Sequence, residues 1–182
     1  KEYYPAQYEE MKKFIESGRW HISGASWDAT DTLVPSIESA IRNIMLGQNY
    51  YRKEFGVEST DIFLPDCFGF GWTLPAIASH CGLIGFSSQK LQWRNKPFYG
   101  NDKYPFTVGL WQGIDGSTIM MTHGYDYNQR FEDGDLSENK DLLELTGHSP
   151  LHMVYRYYGT GDIGGSPTLE SVRAVEKGLQ GN

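Results

Sequence analysis

The sequence predicts an α/β fold with strand–helix alternation along the chain. Three observations carry that reading. Apolar residues recur with a helical period over 6–17, after Ser36, over 74–80 and after Pro167. Short apolar runs lie between them at 20–24, 61–64, 83–87 and 151–158, the length of buried strands. Each run ends near a polar cluster: Asp28 with Asp31, Asp66, Gln89 with Lys90, and Asp162. In a parallel sheet or barrel such strand ends open on one face, where α/β proteins place their chemistry.

Taken in order, Tyr8, Met11, Phe14 and Ile15 form one stripe of a helix over 6–17, and Gly18 ends it. The run 20–24 is a short strand delivering the loop 25–35. Ser36 caps the next helix, whose stripe is Ile37, Ile41, Ile44, Met45 and Tyr51, with Gly56 just past its end. The strand 61–64 leads to Asp66, and Leu74 to His80 is a helix closed by Gly82. Leu83 to Ser87 is a further strand, followed by a Gly/Asn/Pro loop at 95–105.

Phe106 to Gln112 and Ser117 to His123 flank Ile114-Asp115-Gly116. Asp-Gly between two strand-like runs signals a hairpin. Residues 125–150 are polar loop with a helical turn at 142–145. Leu151 to Tyr158 reads as a strand, and Pro167 behind Ser166 opens a last helix with Leu169, Val172, Val175 and Leu179 as its stripe. With no repeat and no Ser/Gly linker, no domain boundary is expected, and residues 1–182 read as a fragment of a single α/β catalytic domain.

Composition narrows the function. A formal charge of −7 repels phosphate backbones, which argues against nucleic acid as a partner. No run of 18 apolar residues exists, so no membrane-spanning helix is expected. The opening Lys1-Glu2-Tyr3-Tyr4-Pro5 is no signal peptide and reads as a cut inside a longer protein. Five Trp and twelve Tyr suit a carbohydrate site or a core equally. Cys67 and Cys81 make neither a disulfide framework nor a zinc ribbon and read as small buried hydrophobes.

The candidate chemistry lies in the carboxylates. Asp66 stands in LPDCFGFG, residues 64–71, and reads as a nucleophile acting on a sugar. Glycosidic cleavage needs a second carboxyl group, and Asp162 in GTGDIGGSPT, residues 159–168, is a candidate, also at a predicted strand end. A helix-capping role is the plain alternative for each. GTGDIG also matches the dinucleotide pattern Gly-x-Gly-x-x-Gly, but its helix begins late, behind Pro167. His148 and His152 have an i, i+4 spacing interrupted by Pro150, and read as incidental.

The run LPDCFGFGWTLPAIASHCGLIGFSSQKLQW, residues 64–93, resembles glycoside hydrolase family 38, the retaining α-mannosidases. GRW (18–20), PSIESAIRNIMLGQNYY (35–51), GIDGS (113–117) and GTGDIGGSPT extend the resemblance in family order over nearly the whole chain. It implies part of a (β/α)7-type barrel and a mannose-containing oligosaccharide or glycan as substrate. It implies Asp66 as nucleophile and ligand of a catalytic zinc ion (Zn2+), and Asp162 as acid/base. Phe68, Lys90, Asp31 and Tyr127 take substrate-contacting positions.

The chain departs from the family pattern after Trp27, where an acid and an amide are replaced by Ala29 and Leu33, and at Ala76, where the family has Gln. The remaining zinc ligands of the family are expected outside this chain. The resemblance therefore implies that the 182 residues alone bind zinc poorly and are inactive. A catalytically dead carbohydrate-binding module and a nucleotide-binding oxidoreductase are the competing readings.

Overall fold

The computed structural model describes residues 1–92, 107–123, 130, 131 and 136–180. The predicted loop 95–105, Trp93 and Tyr127 lie outside those residues. The α/β class stands. The strands β1 (Asp61–Phe63), β2 (Gly85–Ser88), β3 (Val108–Gln112) and β4 (Thr118–His123) form a four-stranded sheet in the order β1-β2-β4-β3. The described residues form this sheet rather than a closed barrel. The chain divides into two compact units, residues 1–86 with 111–119 and residues 87–110 with 120–182.

The first unit holds three helices, α1 (Pro5–Glu16), α2 (Ile37–Phe55) and α3 (Leu74–His80). Pro5 opens α1, where its missing N–H costs nothing. Ser36 caps α2 as expected, its Oγ accepting from the Ser39 amide at 3.2 Å. Gly56 ends that helix at φ +68, a conformation that favours glycine, and its N–H reaches the Arg52 carbonyl. The buried face of α2 is Ile44, Gly47 and Gln48, whereas Ile37 and Met45 of the expected stripe are more than half exposed.

Gln48 is a buried polar residue with both ends of its amide satisfied. Its Nε2 donates to the Ser59 carbonyl at 2.7 Å and its Oε1 accepts the Ser59 N–H at 3.0 Å. This clamp fixes the backbone two residues before β1. Ile62, Leu64, Leu74, Ile77, Ala78, Leu83 and Phe86 are the core of the unit. Phe86 meets Phe70 and Trp111 edge-on, with ring centroids 5.0 and 5.2 Å apart.

Residues 20–24 are not a strand. The side chain of Asp61 takes the Ser23 hydroxyl at 2.6 Å and the Gly24 amide at 3.4 Å. Backbone pairing begins only at Ala25, whose N–H reaches the Asp61 carbonyl at 2.8 Å. Gly18 and Gly24, at φ +72 and +82, bend the chain on either side.

The hairpin of β3 and β4 forms as Asp-Gly predicts. The Gly113 amide donates to the Ser117 carbonyl at 2.8 Å, and six residues out along each strand the His123 amide donates to Thr107 at 3.0 Å. The two pairs share one antiparallel register, so no bulge intervenes.

In the second unit, α4 (Lys140–His148) is capped by Asn139, which accepts from the Leu142 amide, and extends well beyond the expected single turn. The expected strand at 151–158 does not form. Pro150 precedes it, His152 sits at φ +50, and the Tyr155 amide is taken by the Thr107 hydroxyl at 2.8 Å rather than by a neighbouring strand. The last helix, α5 (Leu169–Gln180), begins after Pro167, with Thr168 Oγ1 accepting from the Ser171 amide at 3.2 Å. Its buried residues are Ser171 and Ala174, while Leu169 and Leu179 are exposed. The small face wins because the backbone of Phe131 comes up to it, its N–H donating to Ser171 Oγ at 2.9 Å.

Candidate active site

Asp66 is delivered by β1. Ile62 and Leu64 are buried to 2% and 1% exposure, which holds the strand end in the core, and the chain then emerges at Pro65. Asp66 and Phe68 are exposed on the loop that follows, Phe68 at 57%. This loop is fastened to the residues around Asp31. The Cys67 thiol donates to the Thr30 carbonyl at 3.2 Å, and the Thr32 hydroxyl donates to the Gly69 carbonyl at 2.9 Å. The Gly71 amide reaches Thr32 Oγ1 at 3.4 Å. Gly69 has φ +125, and a Cβ there would stand 2.6 Å from Leu33 Cδ1. At that φ the loop takes a conformation that favours glycine where it meets Leu33.

Asp31 turns its own loop. Its Oδ1 accepts the amides of Leu33 at 2.6 Å and Val34 at 3.1 Å, an Asx-type turn. Burial, helped by the charges of Asp31 and Asp66, pushes the Cys67 thiol up. It is therefore a protonated donor at neutral pH and not a nucleophile. Cys67 and Cys81 are half-buried rather than buried as expected. Beneath the joined loops lies a cavity of about 20 Å³ among Thr30, Asp31, Thr32, Ile62, Leu64 and Leu74. It has room for roughly one water.

Asp31, Asp66 and Phe68 thus share the first unit, and Lys90 and Asp162 belong to the second. The Lys90 amide donates to the Oγ of buried Ser88 at 3.1 Å, which turns the chain sharply after β2. Asp162 is exposed and sits at φ +62. The Ile163 amide closes over it onto the Gly161 carbonyl at 2.7 Å, the hydrogen bond of a γ-turn. For a residue with a Cβ this backbone is strained, and such strain collects at functional sites. The GTGDIG segment follows no strand and α5 begins only at Leu169, so the context that a dinucleotide fingerprint requires is absent.

Among the described residues, no three His, Cys, Asp or Glu side chains converge to hold a metal. His148 ends α4 and His152 lies beyond it, so they do not share a helix face. Sequence reasoning missed Thr32, Gly47 and Gln48. A lone polar residue or glycine carries no periodic signal, and only the approach of a second segment gives it a role.

The N-terminal domain model of glycosyl hydrolases family 38 matches residues 1–177. Alpha-mannosidase G of Dictyostelium discoideum is 37% identical over 96% of this chain. Human alpha-mannosidase 2C1 is 30% identical over 91%. The chain spans only 16% and 15% of the lengths of these two relatives. Among solved structures, an alpha-mannosidase from Enterococcus faecalis V583 matches with a TM-score of 0.51 at 21% identity, over 67% of this chain and 13% of that one. A 4-alpha-glucanotransferase from Thermococcus litoralis matches with a TM-score of 0.62 at 15% identity, over 96% of this chain and 27% of that one. At those identities the two structures speak for the fold alone. The extent of the family match and the identity to curated relatives decide the assignment: this chain belongs to glycosyl hydrolase family 38, within its N-terminal domain.

Proposed function

We propose that this chain supplies the two catalytic carboxylates of a retaining α-mannosidase acting on mannose-containing glycans. Asp66 attacks the anomeric carbon while Asp162 gives its proton to the departing glycosidic oxygen, so the C–O bond breaks as an ester to Asp66 forms. Asp162, now a carboxylate, then takes a proton from water. The water oxygen displaces Asp66 and releases mannose with retained configuration. Phe68, Lys90, Asp31 and Tyr127 are the proposed sugar contacts. Retention requires the two carboxyl groups about 5–5.5 Å apart in the working enzyme. The observation that carries the reading is the placement of Asp66, exposed immediately beyond a strand end whose Leu64 is fully buried, in a chain of this family.

Zinc belongs to the proposal, with Asp66 as one ligand. A catalytic zinc takes about three protein ligands, and the described residues do not assemble them. They do not by themselves fit the metal, and no step is assigned to it. The other ligands would come from elsewhere in the intact protein, and the 182-residue chain alone is proposed to be a poor zinc binder without turnover.

A catalytically dead carbohydrate-binding module is the second reading. Leu33 favours it, because it stands exposed at 59% where the family pattern has an amide. Trapping separates the two. The intact protein, incubated with an activated fluoro-mannoside that accumulates the covalent intermediate, should yield one labelled peptide with the sugar on Asp66. Label on another carboxylate, or sugar binding without label, would reject the nucleophile.

A further inference from the structure

Two of the hydrogen bonds that join the Asp66 loop to the Asp31 loop meet at one hydroxyl. Thr32 Oγ1 donates to the Gly69 carbonyl at 2.9 Å and accepts the Gly71 amide at 3.4 Å. A hydroxyl can do both at once, and a thiol donor such as Cys67 is weaker. The point it grips is one residue beyond Phe68 and three beyond Asp66. Gly69, at φ +125, holds there a backbone conformation that residues with a Cβ rarely adopt. We propose that Thr32 is a positioning residue, whose hydroxyl sets the loop that carries Asp66 and Phe68. Its catalytic consequence rests on the reading of Asp66 as nucleophile, and its structural consequence does not.

The mechanism is steric and geometric. Without the hydroxyl, the Gly69 carbonyl and Gly71 amide turn to water and the loop samples other positions. Attack on an anomeric carbon tolerates little displacement of the nucleophile, so turnover suffers more than ground-state binding.

The test uses the full-length protein and three variants. Thr32→Val keeps the shape and removes the hydroxyl, Thr32→Ser keeps the hydroxyl, and Thr32→Ala removes it without any risk of overpacking the joint. Hydrogen exchange at the amides of residues 66–71 should rise about fivefold in the Val and Ala variants, with α2 unchanged. Their kcat on an activated mannoside should fall about tenfold, with KM within about twofold. The Ser variant should stay within about twofold of the parent in every measurement. Unchanged exchange in the Val and Ala variants would overturn the proposal, as would raised exchange with unchanged kcat. If the parent shows no mannosidase turnover while loop exchange still rises, the loop role stands and the functional reading fails.

Discussion

Gly47 of α2 lies under the Ala25 carbonyl, so close that a Cβ at position 47 would stand 2.1 Å from its oxygen. The helix meets the loop backbone there with no side chain between. The neighbouring turn of α2 completes the joint: Trp27 donates its amide to the Asn43 carbonyl at 2.9 Å, and the Asn43 side chain brackets Asp28 at 3.1 and 2.9 Å. The loop that reaches Thr32 is therefore anchored on α2. Gly47→Ala should destabilise the protein by about 2–4 kcal/mol, although alanine is the better helix former. Urea unfolding of the parent and the variant checks this, and a neutral or stabilising result would show that the loop yields at little cost.

Asp115 and His80 tie the hairpin turn to the end of α3, Nε2 to Oδ2 at 3.0 Å. The Ser117 hydroxyl, then the Ser117 amide, and more weakly His80 hold the Asp115 carboxyl below the ordinary aspartate value of 3.8. A carboxylate depressed in the folded state adds stability above its unfolded value, and that stability is lost as pH falls through the folded value. The melting temperature of the parent should therefore exceed that of Asp115→Asn at neutral pH, with the gap closing below about pH 4. A gap that persists unchanged in stronger acid would show that the charge is irrelevant to the turn.

Legibility followed how local each cause is. The capped start of α2, its glycine end, the hairpin and the strand leading to Asp66 are written in neighbouring residues, and all were readable. Residues 151–158 are apolar and aromatic enough to read as a strand, but whether they pair is decided by the Thr107 hydroxyl, nearly 50 residues away in sequence. The stripe of α5 was misread for the same reason. The backbone of Phe131 selects the Ser171 face, and a hydrophobic period cannot reveal a partner that prefers small residues. At the site, Asp66 was visible from its strand-end position, whereas the strands expected before Asp31 and Asp162 do not form. The clamp of Gln48, the bridge of Thr32 and the backbone strain at Asp162 were not, because each depends on a second segment or on a dihedral angle.

Asp66→Asn keeps the volume of the side chain and removes the nucleophile. In the intact enzyme it should lower kcat on the order of 10³-fold or more and abolish covalent trapping. The Cys67 thiol pKa should also fall slightly, because the Asp66 charge is one of the causes that raise it. A thiol titration measures that shift without any need for turnover. Parent-like turnover by the Asn variant would remove Asp66 from the mechanism.

Asp162 sets backbone strain against chemistry. At φ +62 its Cβ costs roughly 1 kcal/mol that glycine would not, and asparagine tolerates the same conformation. A residue retained only for the turn should therefore be replaceable by glycine with a gain in stability and no loss of rate. Under the acid/base assignment, Asp162→Gly should match or exceed the parent in urea midpoint. Both Asp162→Gly and Asp162→Asn should lose about 10²- to 10⁴-fold in kcat/KM on a mannoside with a poor leaving group. The loss should be much smaller on an activated aryl mannoside, whose departure needs no proton, until hydrolysis of the covalent intermediate becomes limiting. Equal losses on both substrates would point to a binding defect. Parent-like rates on both would leave the strained Asp162 with a structural role alone.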